Sequence, residues 1–142
     1  MGWFRKVFGQ QDRPEGRPAA LVGETILVVD PSIVIQKVMQ LSLQGQGCRV
    51  LFASTADEAL PLVAEERPTV VFVATEVTGR QGDELFRSLE SAGPAAPAVV
   101  LLKGTAEQAD PTATVYDAVF DKPFPPEKLI ELLARLRESR AQ

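Results

Sequence analysis

Short apolar runs alternate with amphipathic stretches from about residue 24 to the end of the chain. The apolar runs are rich in β-branched residues and are short enough to be buried strands. They are Thr25–Val29, Val50–Ala53, Val70–Val73, Ala98–Leu102 and Ala118–Asp121. Each is followed by a stretch with helical spacing or with residues that start a helix, so the pattern predicts five successive strand–helix units.

Capping and breaking residues mark the expected helices. The first helix covers Ile33–Leu43, and the second starts at Thr55–Glu58, which has the capping-box pattern, and stops at Pro68. In the first helix the apolar residues at helical spacing are Val34, Ile35, Val38, Met39 and Leu41. The segment Thr105–Tyr116 should hold the fourth helix, but Pro111 interrupts it, so a short or irregular element is expected there.

Alternating helices and continuously apolar strands predict an α/β fold. A parallel sheet covered on both faces fits the pattern, and right-handed crossovers make it a (βα)5 doubly wound, five-stranded sheet. In such sheets the functional crevice lies at the carboxyl ends of the strands. The residues found there are Asp30 and Pro31, Ser54, Ala74–Glu76, Lys103 and Lys122.

The amino-acid composition excludes several classes of function. The chain has 142 residues, enough for one domain, and a net charge of -4 argues against nucleic acid as a partner. The absence of histidine excludes His-based acid–base catalysis, Ser–His triads and His metal ligands. Cys48 is the single cysteine, so no internal disulfide forms. With no long apolar run and no signal peptide at Met1–Gly9, a cytoplasmic location is expected.

The strand ends carry a resemblance to a known family. The relevant stretches are Ile26–Asp30, Pro31–Met39, Pro68–Ala74 with the glycines that follow it, Leu101–Gly104 and Asp121–Phe124. Together they resemble the response-regulator receiver (CheY-like) family over about residues 24–138. The resemblance implies a bacterial protein of two-component signalling with a flavodoxin-like sheet of strand order 2-1-3-4-5.

The resemblance also implies a site with five positions. Two neighbouring acids after the first strand help to hold Mg²⁺, an aspartate after the third strand accepts a phosphoryl group, a Ser or Thr follows the fourth strand, and a Lys follows the fifth. Asp30 and Lys122 match the first acid and the lysine. The other positions are substituted: Pro31 replaces the second acid, Ala74 the phosphoacceptor and Lys103 the hydroxyl.

These substitutions change the expected chemistry. Alanine has no nucleophile, so Ala74 cannot form an acyl phosphate. Since Mg²⁺ prefers carboxylate oxygens, Asp30 alone is a poor metal site, and no metal, other cofactor or catalytic residue is expected. A second alignment places Leu102 rather than Lys103 at the hydroxyl position, and neither residue supplies one.

A salt-bridged cluster could replace the lost metal. Glu76 lies two residues past Ala74, and alternation places it on the same side of the chain. We therefore expect Asp30, Glu76, Lys103 and Lys122 to form a pocket cluster of two anions and two cations. In the alternative, Lys103 points outward on a loop.

The first 22 residues differ from the rest and are expected to be an amphipathic segment with a flexible linker, followed by the receiver-like domain at 23–142. Trp3, Phe4, Val7 and Phe8 share one helical face, opposite Arg5 and Lys6, which makes them a candidate docking segment. Three alternatives stay open: docking to a partner protein, weak contact of residues 1–9 with the inner membrane surface, and packing on the domain itself or disorder.

The leading functional hypothesis is a phosphorylation-independent pseudo-receiver. It would act as an adaptor that binds another signalling or scaffold protein, and the resemblance places the docking face within Thr105–Leu136. The alternative is a sensor of a small molecule or anion held in the crevice between Lys103 and Lys122. An enzyme is not expected, and the identity of the partner and the oligomeric state stay open.

Overall fold

A five-stranded parallel sheet forms the centre of the molecule, in the order β2-β1-β3-β4-β5. The computed structural model describes residues 21–77, 80–91, 93–104 and 116–141. The strands are β1 (Thr25–Val29), β2 (Arg49–Ala53), β3 (Val70–Ala74), β4 (Ala98–Gly104) and β5 (Ala118–Lys122). The predicted fold class and strand order are confirmed.

The described helices follow the predicted order. They are α1 (Ile33–Ser42), α2 (Ala56–Glu66), α3 (Arg80–Glu90) and α4 (Pro126–Ala141), with short 3-10 turns at Thr75–Val77 and Gly93–Ala95. The predicted element at Thr105–Tyr116 lies outside the described residues, except for Tyr116. α4 is therefore the predicted last helix.

Side-chain caps fix the starts of two helices. The Ser32 Oγ accepts a hydrogen bond from the Ile35 N–H at 3.2 Å, and the Thr55 Oγ1 accepts one from the Glu58 N–H at 3.1 Å. Each bond satisfies a backbone donor that the first helical turn leaves without a partner. The predicted start of the second helix at Thr55 is confirmed.

The two faces of the sheet bury separate cores. One core contains Ile26, Val28 and Phe72 from the strands, with residues from α1 and α4. The other contains Leu27, Val29, Val71 and Val73, with residues from α2 and α3. All five residues of β3 are buried, which is why that strand has no polar position. Full burial of one such side chain contributes about 1.5–3 kcal/mol.

Not all of the apolar residues at helical spacing in α1 pack against the rest of the domain. Met39 is buried, and Ile35 and Val38 are half-buried. Val34 and Leu41 are 69% and 62% exposed, so two of the five apolar positions at helical spacing face water. The periodicity predicts the helix correctly but not which of its residues the sheet covers.

The packed domain extends at least to Leu21. Its side chain is buried in the core with Ile26, and its N–H donates to the Gln46 carbonyl at 2.9 Å. This is two residues before the expected boundary at residue 23. Residues 1–20, which include Trp3, Phe4, Val7 and Phe8, lie outside the described part, so the division at residue 22 stays a prediction.

Candidate functional site

The register of β1 and β3 brings Asp30 and Ala74 side by side at the carboxyl end of the sheet. Val29 is the partner of Val73, so Asp30 and Ala74 are the next residues on neighbouring chain segments. Both are fully buried. Their positions agree with the expectation that the crevice of a doubly wound sheet lies beyond these strand ends.

Asp30 is held from several directions. Its Oδ1 accepts a hydrogen bond from the Ser32 N–H at 2.9 Å, which closes an Asx-type turn through Pro31. Its Oδ2 lies 3.3 Å from the Lys122 Nζ. Its own backbone carbonyl accepts from the Gln36 Nε2 at 2.8 Å. Because a buried carboxylate needs such partners, these contacts explain how Asp30 stays at 0% exposure.

Lys122 joins the acids of the site. It is the last residue of β5, and its side chain is 13% exposed. Besides Asp30, its Nζ approaches the Glu76 Oε1 at 3.7 Å. Glu76 lies in the 3-10 turn directly after β3 and is half-exposed. Three of the four residues of the predicted cluster therefore lie together.

Lys103, the fourth predicted member, makes an ion pair with a residue outside the predicted cluster. Its Nζ lies 2.7 Å from the Asp121 Oδ1. The two residues are direct partners in the register of β4 and β5, which places their side chains on the same face of the sheet. Asp121 was not part of the predicted cluster, and the place of Lys103 in that cluster stays a prediction. Lys103 also lies within β4 and not on a loop, so the outward-loop alternative is wrong.

The role of Asp121 as the partner of Lys103 could be found only from the pairing register of β4 and β5. Asp121 is directly followed by Lys122, and alternation along β5 sends these neighbouring side chains to opposite faces.

Within the described ranges, no group of three or more Asp, Glu, Cys or His side chains is placed to hold a metal ion. The part of the predicted docking face at 105–115 lies outside those ranges.

A second buried carboxylate lies at the opposite, amino-terminal end of the sheet. Glu24 is 9% exposed, and it accepts hydrogen bonds from the Thr69 Oγ1 at 2.7 Å and from the Arg140 Nη2 at 2.5 Å. The Arg137 Nε lies 3.6 Å from its other oxygen. Burial raises the pKa of Glu24, but these bonds and charges together outweigh burial and leave the pKa below its usual value. The network ties the end of α4 to β1.

The sheet and its strand ends define a class of protein. A doubly wound sheet of order 2-1-3-4-5, with a buried aspartate after β1 bound to a lysine at the end of β5, has the arrangement of a receiver domain. The sequence pattern of the response regulator receiver domain matches residues 26–134. The chain belongs to that family.

Curated relatives agree with this assignment. The response regulator MprA of Mycolicibacterium vanbaalenii is 34% identical over 114 residues, which cover 79% of this chain and 48% of the relative. MprA of Mycobacterium avium is 32% identical over the same length, covering 79% and 49%. The chain therefore spans about half the length of the curated relatives it matches.

Solved structures share the fold. NtrX from Brucella abortus, solved in complex with ADP, has a TM-score of 0.71 and 24% identity, covering 83% of this chain and 27% of NtrX. A CheY-like receiver domain protein from Methanospirillum hungatei has a TM-score of 0.67 and 20% identity, covering 83% and 98%. No helix among the described residues is long and apolar enough to cross a membrane.

Proposed function

We propose that this chain is a pseudo-receiver that accepts no phosphoryl group and works as a signalling adaptor by binding another protein. One observation carries the proposal: Ala74 ends β3 beside the buried Asp30, at the position where the resemblance implies the phosphorylated aspartate. A methyl group cannot attack phosphorus, so the step that switches an ordinary receiver has no nucleophile here.

The donor set around Asp30 supports the same proposal, because it does not fit the Mg²⁺ that the family implies. Mg²⁺ requires near-octahedral oxygen ligands and takes one or two carboxylates together with phosphate oxygens. The side chains of Pro31 and Ala74 supply no oxygen. The two oxygens of Asp30 already accept from the Ser32 N–H and the Lys122 Nζ. The Lys122 ammonium thus compensates the buried charge that a metal would otherwise neutralise.

These contacts support a single, unswitched state. Lys122 is tied to Asp30 and Glu76, and no phosphoryl group competes for it. An adaptor of this kind presents one surface to its partner at all times, and the described part of the docking face consists of β5 and α4. The partner is another signalling or scaffold protein.

The anion-sensor alternative requires displacement of existing ion pairs. An anion at Lys122 would compete with Asp30 and Glu76, and an anion at Lys103 would compete with Asp121. The contacts therefore favour the adaptor, and the sensor stays a prediction.

The chemical half of the proposal is tested with acetyl phosphate and Mg²⁺. We expect the intact mass of the full chain to stay unchanged. The matched variant carries Pro31→Asp and Ala74→Asp, which restore both missing acids beside Asp30, and it is expected to gain one phosphoryl group. A stoichiometric mass increase of the wild-type chain would refute the proposal.

The binding half is tested by capture from a native lysate with and without acetyl phosphate. The same partner should be retained equally under both conditions. Val119, on β5, is 45% exposed, and Val119→Arg should release a partner that binds the β5–α4 face. Arg49→Glu, on β2 at the opposite edge of the sheet, is the matched control and should retain it. Binding that depends on the phosphoryl donor would contradict the adaptor.

A further inference from the structure

A groove of about 610 Å³ runs between α1 and β2. Half of its lining is apolar, namely Leu41, Leu43, Cys48, Val50 and Phe52, and its rim carries the polar side chains of Lys37, Gln40 and Gln44. Among the described strands β2 lies at the edge of the sheet, so none of them covers this side. The volume falls in the range of about 300–1,000 Å³ that is typical of binding pockets.

The groove continues into an exposed apolar stripe on α1. Val34, Val38 and Leu41 are spaced i, i+4 and i+7 and therefore share one face of the helix. Leu41 belongs to both features, being 62% exposed and part of the groove wall. Of the five exposed large hydrophobic residues in the described part of the chain, three lie on α1. Such a concentration of exposed apolar surface marks an interaction site.

The chain enters the domain at the rim of this groove. The Leu21 N–H donates to the carbonyl of Gln46, in the turn between α1 and β2. The same turn supplies Leu43, Gly45 and Cys48 to the groove wall. The segment that precedes Leu21 therefore starts from the edge of this groove, and Val22, 53% exposed, adds apolar surface at that point.

We propose that the aromatic segment Trp3–Phe8 of the same chain docks in the α1–β2 groove. Trp3, Phe4, Val7 and Phe8 supply the apolar side chains, and large aromatic side chains bury about 150–250 Å² each. Gly9–Ala20 is a 12-residue tether, and a flexible chain of that length spans about 20 Å on average. α1 is only about 15 Å long, so the whole groove is within reach.

Covalent attachment favours this occupant over others. A short flexible tether gives an effective concentration in the millimolar range, so an affinity too weak to hold a separate peptide is sufficient here. Arg5 and Lys6 fall opposite the aromatic residues in the helical pattern and would remain in water.

Trp3 reports on the proposal directly because it is the only tryptophan of the chain. In the 142-residue chain we expect an emission maximum at a shorter wavelength than that of free tryptophan, and slow quenching by acrylamide. Leu41→Ser should restore the emission and quenching of a water-exposed indole. Since Leu41 is 62% exposed, the domain should stay folded, as circular dichroism would verify. Val119→Ser, at the opposite sheet edge, is the matched control and should leave the Trp3 signal unchanged.

Four results would overturn the proposal. Trp3 could have the emission of free tryptophan in the wild-type chain, or it could be shielded but insensitive to Leu41→Ser. A signal lost on dilution would assign the groove to a second copy of the chain. Shielding that arises only on addition of anionic phospholipid vesicles would assign the segment to a membrane surface. None of these results depends on whether the chain accepts a phosphoryl group, so the test is separate from that of the proposed function.

Discussion

The Lys122 Nζ lies 3.3 Å from the Oδ2 of Asp30, and the side chains of the two residues are 13% and 0% exposed. They are 92 residues apart in sequence and are brought together by the carboxyl ends of β1 and β5. The lysine thus neutralises a carboxylate that water cannot reach. Removal of one partner leaves a buried charge without compensation. The pair should therefore contribute more to the free energy of unfolding than its Nζ–Oδ2 distance suggests.

Lys122→Met is expected to lower the free energy of unfolding by about 3 kcal/mol, as measured by urea denaturation. The matched control is Arg49→Met. Arg49 lies 2.8 Å from Glu66, a shorter ion pair, but its side chain is 60% exposed. The control should cost less than about 1 kcal/mol. Equal losses in both variants would show that burial of Asp30 does not determine the effect.

A second substitution separates charge from packing in the Lys122 variant. Asp30→Asn keeps an oxygen that can accept from the Ser32 N–H but removes the negative charge. Added to Lys122→Met, it should recover most of the lost stability in a double-mutant cycle. A purely additive cycle would mean that the lysine stabilises the domain by packing alone.

Lys103→Ala should cost less than about 1 kcal/mol, because Asp121, its ion-pair partner, has a side chain that is 59% exposed. Combined with Lys122→Met, the losses should nearly add in denaturant titrations, because alternation along β5 sends Asp121 and Lys122 to opposite faces of the sheet. A single cluster of all four predicted residues would instead give strong coupling between the two lysines. The double variant therefore separates the two arrangements.

Glu24→Gln tests the network at the other end of the sheet. The folded-state pKa of Glu24 is lowered, so its ionised form stabilises the protein above the unfolded-state pKa, and this contribution is lost as pH falls through the folded value. Wild type should exceed the variant in stability at pH 7, with a difference that shrinks below about pH 4.5. Denaturant titrations over this range measure it. A difference independent of pH would show that hydrogen bonding and not charge carries the effect.

The fold was accessible from sequence because the strands are continuously apolar. All five residues of β3 are buried, as an apolar run flanked by helices predicts for a parallel sheet. Asp30 and Lys122 could likewise be placed together, because the carboxyl ends of parallel strands meet at one edge. Neither inference required the register that pairs the residues of neighbouring strands.

The features that sequence did not predict depend on register or on distant packing. The Lys103–Asp121 pair follows from the alignment of β4 with β5, which no local pattern encodes. Glu24 and Arg140 are 116 residues apart. The exposure of Val34 and Leu41 depends on which face of α1 the sheet and α4 cover, and helical periodicity alone does not choose between the faces.

Magnesium should leave the melting temperature of the wild-type chain unchanged at concentrations of about 10 mM, since a ligand stabilises only a protein that binds it. The variant with Pro31→Asp and Ala74→Asp should behave differently. Three neighbouring carboxylates would repel one another around Lys122, so without metal the variant should melt below wild type. Mg²⁺ should then raise the melting temperature of the variant. At a free Mg²⁺ concentration of 100 times the dissociation constant, the added free energy of unfolding is about 2.7 kcal/mol, and a chelator should remove it. A chelator-sensitive increase in the melting temperature of the wild-type chain would mean that Asp30 and Glu76 suffice to bind the metal. In that case the ion pair with Lys122 does not replace the metal.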